Sequence, residues 1–144
     1  FGPGHSWNTS AQLLQFHQSA DWAELRALVD ASETVADHGV CLDLALDNEG
    51  LVNNANKILR TLVIPSNVHR DLWQRALACV LAWGSQCFRV RWIMGHAEEF
   101  HVTMGLIDAE DRIANHHVDQ LAREGEEFER TKHLIACLDT TLLF

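Results

Sequence analysis

Gly39–Asn56 reads GVCLDLALDNEGLVNNAN, and its two successive periodicities decide the fold class. Val40, Leu42, Leu44 and Leu46 alternate with Cys41, Asp43, Ala45 and Asp47, and period two over this length predicts a strand with one face buried. The strand ends on a carboxylate, Asp47. Asn48 follows as a helix N-cap, and Leu51, Val52, Ala55, Ile58 and Leu59 recur at helical spacing. Asp47 is therefore expected at the carboxyl end of a strand that turns directly into a helix. In open α/β sheets that edge is where ligands bind.

Upstream, Trp22, Leu25, Leu28, Val29 and Ser32 line one side of a helix predicted from Asp21 to about His38. Asp21 and Glu24 have the spacing of a capping box, and Gly39 closes the helix. Downstream, Pro65, Ser66 and Asn67 break the chain before a third helix from about Arg70, with Leu72, Trp73, Ala76, Leu77, Val80 and Leu81 as its apolar positions. Gly84 and Ser85 turn into a second strand, where Phe88, Val90, Trp92 and Met94 alternate with Arg89, Arg91 and Ile93. Strands separated by helices predict a parallel pair joined by right-handed crossovers. After Gly95 and His96 the pattern is irregular to about Ile113, and a last helix is predicted from near Asn115 with Val118, Leu121 and Ala122 facing inward. Residues 1–20 give no clear element, and the segment from Glu126 is acidic and then apolar.

A chain of 144 residues, 47% hydrophobic, reads as one domain with a sizeable core. No apolar run approaches membrane-spanning length and no signal peptide is recognisable, so an intracellular setting, cytoplasmic or nuclear, and no membrane partner are expected. The opening FGPGHSW has the look of a piece cut from a longer reading frame. The four cysteines, at 41, 79, 87 and 137, contain no C-x-x-C pair and lie in apolar contexts, which predicts core thiols in a reducing compartment. Eleven basic residues against twenty acidic ones give a formal charge of −9, the wrong sign for a free-standing nucleic-acid binder.

Glu24, Asp47 and Asp119 each have an ordinary explanation alone: a capping-box residue, a turn residue, and a charge favoured near a helix N-terminus. Together they sit early in a helix, at the end of a strand and in the helix after the next strand. They could converge at one end of a sheet. Clustered acids repel unless divalent cations neutralise them, and hard Mg²⁺ or Mn²⁺ is the expected guest. Such a cluster suits metal-assisted phosphodiester cleavage, one ion activating water and the other stabilising the leaving oxygen.

The order AELRALVDA around Glu24, LALDNEGLVNN around Asp47, DLWQR at Asp71–Arg75, VRWIMGH ending at His96 and NHHVDQLAREG around Asp119 resembles the type 1 ribonuclease H domain. The resemblance covers about residues 19–125. Its most specific pieces are the W-x-x-G-H strand end and the N-x-x-x-D-x-L-A helix, and it looks most like the domains attached to reverse transcriptases of retroelements. It implies an α/β fold with a ribonuclease H-like mixed sheet flanked by helices, the first strands missing or vestigial in this chain. On that reading 1–144 is a single domain, with 126–144 as a C-terminal extension. Glu24, Asp47 and Asp119 would be ligands of Mg²⁺ (or Mn²⁺), and His96 would assist proton transfer or product departure. Asn115 would match the position that holds the loop to the helix start. Asn48, Asn53 and Asn54 would contact the nucleic-acid backbone, although capping and a polar outer face explain them equally. The implied partners are an RNA·DNA hybrid and other domains of a longer polypeptide.

The chain departs from the family pattern in three ways. Residues 1–20 contain no aspartate to match the family's first catalytic one, nor the strands that would flank that of Asp47, so an open sheet edge is expected. The segment between His96 and Asp119 is longer than in compact members. No lysine-rich helix precedes DLWQR, which leaves Lys57, Arg60, Arg89 and Arg91 as basic contacts. The alternative is a catalytically inactive ribonuclease H-like module retained for structure or protein contact. His96, His101, His116 and His117 could form a zinc site, but HAEEFH lacks the H-E-x-x-H spacing. The five tryptophans, at 7, 22, 73, 83 and 92, could stack on bases, yet most fall on faces assigned to the core.

Overall fold

Ser19, in extended backbone, accepts the Trp22 N–H at 3.1 Å and so opens helix α1 (Ala20–His38) at the first residue but one of the 19–124 that the computed structural model describes. The capping box expected of Asp21 and Glu24 is thereby corrected. Ser19 is the N-cap, and Asp21 lies in the first turn, where its charge complements the positive helix end. Trp22, Leu25, Leu28, Val29 and Ser32 are buried as expected, joined by Val35 and Ala36. The Ser32 hydroxyl donates to the Leu28 carbonyl at 2.8 Å, which removes the cost of burying it. Gly39, at φ 66°, supplies the left-handed residue that ends α1, and its N–H reaches the Ala36 carbonyl.

Strand β1 (Leu42–Leu46) leads into helix α2 (Glu49–Thr61), and helix α3 (Arg70–Trp83) with a 3-10 turn (Ser85–Cys87) leads into strand β2 (Phe88–Trp92). The strands pair in parallel, Leu42 opposite Phe88 through Leu46 opposite Trp92, which is the predicted arrangement. Both strands are shorter than expected. Leu42 is buried but Leu44 and Leu46 only partly, because two strands cover less than the helices on one face could bury. The other face is polar: Asp43 on β1 takes Arg91 at 3.1 Å and Arg89 at 3.5 Å from β2. Among the described residues each strand has one neighbour.

The core lies where α1, α2 and α3 meet one side of this sheet. Leu28, Leu42, Ile58, Trp73 and Val80 surround a cleft of only about 30 Å³. Arg75 straps α3 to α1 with a forked contact to Glu33 at 2.6 and 2.8 Å and a third to Asp30 at 3.3 Å. The hydrogen bonds that Arg75 donates to Glu33 raise the guanidinium pKa further above its ordinary value, against the opposing effect of burial. The arginine of the DLWQR stretch therefore has a structural role.

Several inward assignments are corrected. Leu81 and Trp92 are exposed, as is Trp83, whereas Ile93, assigned to the opposite face, is buried just beyond β2. Trp22 and Trp73 are core, and Trp7 lies outside the described residues. Of the cysteines, Cys79 is buried, Cys87 half-buried and Cys41 exposed, so core thiols are found at one position of three; Cys137 lies outside the described residues.

The described residues fall into two compact units that divide between Gly95 and His96. In the second, the stretch read as irregular contains helix α4 (Glu99–Thr103), and the final helix, α5, covers 109–124 and so begins six residues before Asn115. Val118 and Ala122 are exposed and Leu121 half-buried, so the predicted inward face of α5 is not one; among the described residues of this unit Ile107 is the buried one. No helix among the described residues is long and apolar enough to cross a membrane.

Candidate functional site

Asp47 leaves β1 exposed, and the residue after it organises its surroundings. Asn48 stands in extended backbone, and its Oδ1 accepts the Leu51 N–H at 3.0 Å, capping α2 as expected. Its Nδ2 points the other way and donates to Glu24 Oε2 at 2.6 Å and to Asp21 Oδ1 at 3.3 Å. An amide alone serves both sides: an aspartate would cap equally well but would present a carboxylate to Glu24. Asn48 thus fastens Glu24, half-buried on α1, beside the strand end that carries Asp47.

The last residue of β2 and the residue after it complete this end. Trp92 donates its indole N–H to the Asp47 carbonyl at 3.1 Å, and the Ile93 N–H continues the ladder to the Leu46 carbonyl at 2.9 Å. At Gly95 a Cβ would stand 2.8 Å from Asp47 Oδ2, so a residue without a side chain lets the backbone pass against the carboxylate. The carboxyl end of β1 therefore carries Asp47 and, next to it, the Asn48 amide that holds Glu24 and Asp21.

In the second unit, His96 holds a left-handed backbone at φ 51° and approaches Asp119 Oδ2 through Nδ1 at 3.4 Å. A positive φ away from glycine costs of order 1–3 kcal/mol and concentrates at functional positions. The imidazole is 80% exposed and the Asp119 side chain 29%. Both line a polar cleft of about 420 Å³ with Glu99, Arg112, Asn115 and Arg123, and Arg112 pairs with Glu99 at 2.5 Å. Asn115, one helical turn before Asp119, shares this cleft wall.

Glu24 and Asp47 are thus brought around Asn48, and Asp119 is brought to His96. Asn53 is exposed and Asn54 half-buried on α2, without a role in either arrangement. The proposed zinc histidines are not drawn together: His101 Nδ1 accepts the Glu98 N–H at 2.9 Å and so serves the start of α4. Among the described residues no three His, Cys, Asp or Glu side chains form a group able to hold a metal ion. The donor chemistry at the end of β1 suits a hard divalent cation, since Glu24, Asp47 and Asp21 offer only oxygens, but Asn48 occupies one oxygen of Glu24 and one of Asp21.

Sequence reasoning missed the second bond of Asn48, the strap made by Arg75 and the link from Asn56 Nδ2 to the Val90 carbonyl at 3.0 Å, which ties α2 to β2. The glycine of the G-H pair was a visible signal, because its need arises from close approach to Asp47. Compared with protein-family models, curated proteins and solved structures, the chain matches none.

Proposed function

We propose that this chain is a ribonuclease H-like module of the kind attached to reverse transcriptases, acting on the RNA strand of an RNA·DNA hybrid with Mg²⁺ or Mn²⁺. The observation that supports the reading is the 2.6 Å bond from Asn48 Nδ2 to Glu24 Oε2, which ties a helix carboxylate to the residue that follows Asp47. Glu24 and Asp47 would supply oxygens to the cation, and the resemblance adds Asp119. A bound divalent pair would activate water and stabilise the leaving oxygen.

The chain's own residues have definable parts. Asn48 orients Glu24, and Gly95 leaves the Asp47 carboxylate room. His96 shares its Nδ1 with Asp119, which leaves Nε2 as the nitrogen that takes or gives a proton. With a formal charge of −9, and with Arg89 and Arg91 engaged by Asp43, phosphate binding by this chain alone is weak. Hybrid would be distinguished by its shape and 2′-hydroxyls rather than by base sequence.

A second reading, the catalytically inactive module inside a larger polypeptide, is favoured by one observation: no metal-holding group of three side chains exists among the described residues. Cleavage of labelled RNA·DNA hybrid in Mg²⁺ or Mn²⁺, with EDTA as control, separates the two. Metal-dependent cutting of the RNA strand, abolished by Asp47→Asn, supports the nuclease. Undiminished cutting by Asp47→Asn sinks the metal assignment, and no cutting by the folded chain supports the inactive module.

A further inference from the structure

At the opposite, amino end of the sheet the same register brings two thiols together. Leu42 of β1 is paired with Phe88 of β2, so the residues one step earlier, Cys41 and Cys87, face each other across the start of the ladder. Neighbouring strands lie about 4.8 Å apart, inside the roughly 4.4–6.8 Å separation of Cα atoms that a disulfide spans. The two residues also share a side of the sheet. Side chains alternate along each strand, and Asp43, two residues after Cys41, reaches Arg89, two residues after Cys87. The two thiols interact, and hydrogen bonding with Cys41 raises the Cys87 thiol above its ordinary pKa. Cys41 is exposed and Cys87 half-buried, whereas Cys79 is buried on α3, where burial raises its pKa as well.

We propose that Cys41 and Cys87 form a reversible cross-strand disulfide site, closed by exchange with a low-molecular-weight disulfide of the glutathione type. The exposed Cys41, as thiolate, attacks one sulfur of the disulfide; its S–S bond breaks and one glutathione thiolate leaves. Cys87, as thiolate, then attacks the Cys41 sulfur of the mixed disulfide and expels the second glutathione. Two protein thiols are oxidised by two electrons, one glutathione disulfide is reduced, and the two protons lost by the cysteines end on the two glutathione thiols. The bond closes the loop from Leu42 to Gln86, which contains α2 and α3, and pins the register of β1 on β2. Oxidation therefore stiffens the sheet from the end remote from Asp47 and is independent of any nuclease activity.

The test equilibrates the folded 144-residue chain in glutathione buffers of graded redox ratio, alkylates the remaining thiols and maps cross-linked peptides by mass. The expected product is a Cys41–Cys87 link, favoured by about tenfold or more over any pairing with Cys79 or Cys137 and reversed by excess reduced glutathione. Cys79→Ala retains the link, while Cys87→Ser stops at the Cys41–glutathione adduct. The oxidised chain also unfolds at a higher urea concentration than the reduced one. Should Cys87→Ser disturb folding by circular dichroism, Cys41→Ser serves instead and leaves Cys87 alkylatable throughout. The proposal is overturned if Cys41 and Cys87 both stay alkylatable in the wild-type chain under buffers that convert Cys41 of Cys87→Ser to its adduct. It is equally overturned if the links formed join other cysteines or two copies of the chain.

Discussion

Glu24 and Asp119 are both helix carboxylates met by one side chain from another segment, yet they are anchored differently. Glu24 rides on α1, whose buried side runs from Trp22 to Ala36, and its partner Asn48 is itself pinned as the cap of α2. Asp119 rides on α5, where Ile113 and Val118 are 48% and 60% exposed, and its partner His96 is 80% exposed. The first carboxylate is positioned by packing that cannot shift without disturbing a core. The second is positioned by a single pair at the rim of a polar cleft.

Substitution in the two regions should expose that contrast. Leu25→Ala or Trp73→Ala, each removing a side chain at most 3% exposed, is expected to cost about 3–5 kcal/mol in urea unfolding. Val118→Ala should cost less than about 0.5 kcal/mol. A similar loss at both positions would contradict the contrast.

Asn48 gives the next largest effect. Asn48→Ala removes a cap and is expected to cost about 1–2 kcal/mol. Asn48→Asp keeps the cap but turns a donor facing Glu24 into a like charge, so stability should fall less than in Asn48→Ala while any metal-dependent activity falls with it. If Asn48→Asp retains full activity in the hybrid assay, the bridge to Glu24 has no functional weight. Gly95→Ala should cost about 1 kcal/mol, because the added methyl must displace the Asp47 carboxylate, which is exposed and can move.

The smallest effects concern partly solvated charges. Arg75→Met should cost about 1 kcal/mol or less despite its three contacts, since Arg75, Asp30 and Glu33 are 37–42% exposed and water screens them. His96→Ala should change stability by less than about 0.5 kcal/mol, so any larger loss of cleavage activity would belong to the proton-transfer role.

These comparisons also show what the sequence could disclose. β1, α2 and the Asn48 cap were legible because alternation, cap chemistry and helical spacing are local signals, and the parallel pairing followed from two strands separated by helices. The start of α1 was misread because Asp21 and Glu24 satisfy the capping-box spacing while Ser19, two residues earlier, satisfies the actual hydrogen bond. Trp92, in the last ladder pair, is exposed and Ile93, just past β2, is buried, which strict alternation did not anticipate. Helix α5 began early because the residues around Asp108 carry little periodicity, so its first turns were not visible. At the site, Glu24 and Asp47 were legible as carboxylates but their connection was not. It depends on the second hand of an asparagine already accounted for by its cap.

The carboxyl end of β1 as a divalent-cation site is tested most directly by titrating the chain with Mn²⁺ and following amide signals by NMR. The paramagnetic ion should broaden Glu24, Asp47, Asn48 and Gly95 first, at concentrations that leave the Cys41 end of the sheet sharp, and Asp47→Asn should remove the effect. Broadening that begins elsewhere, or that persists unchanged in Asp47→Asn, would contradict the assignment.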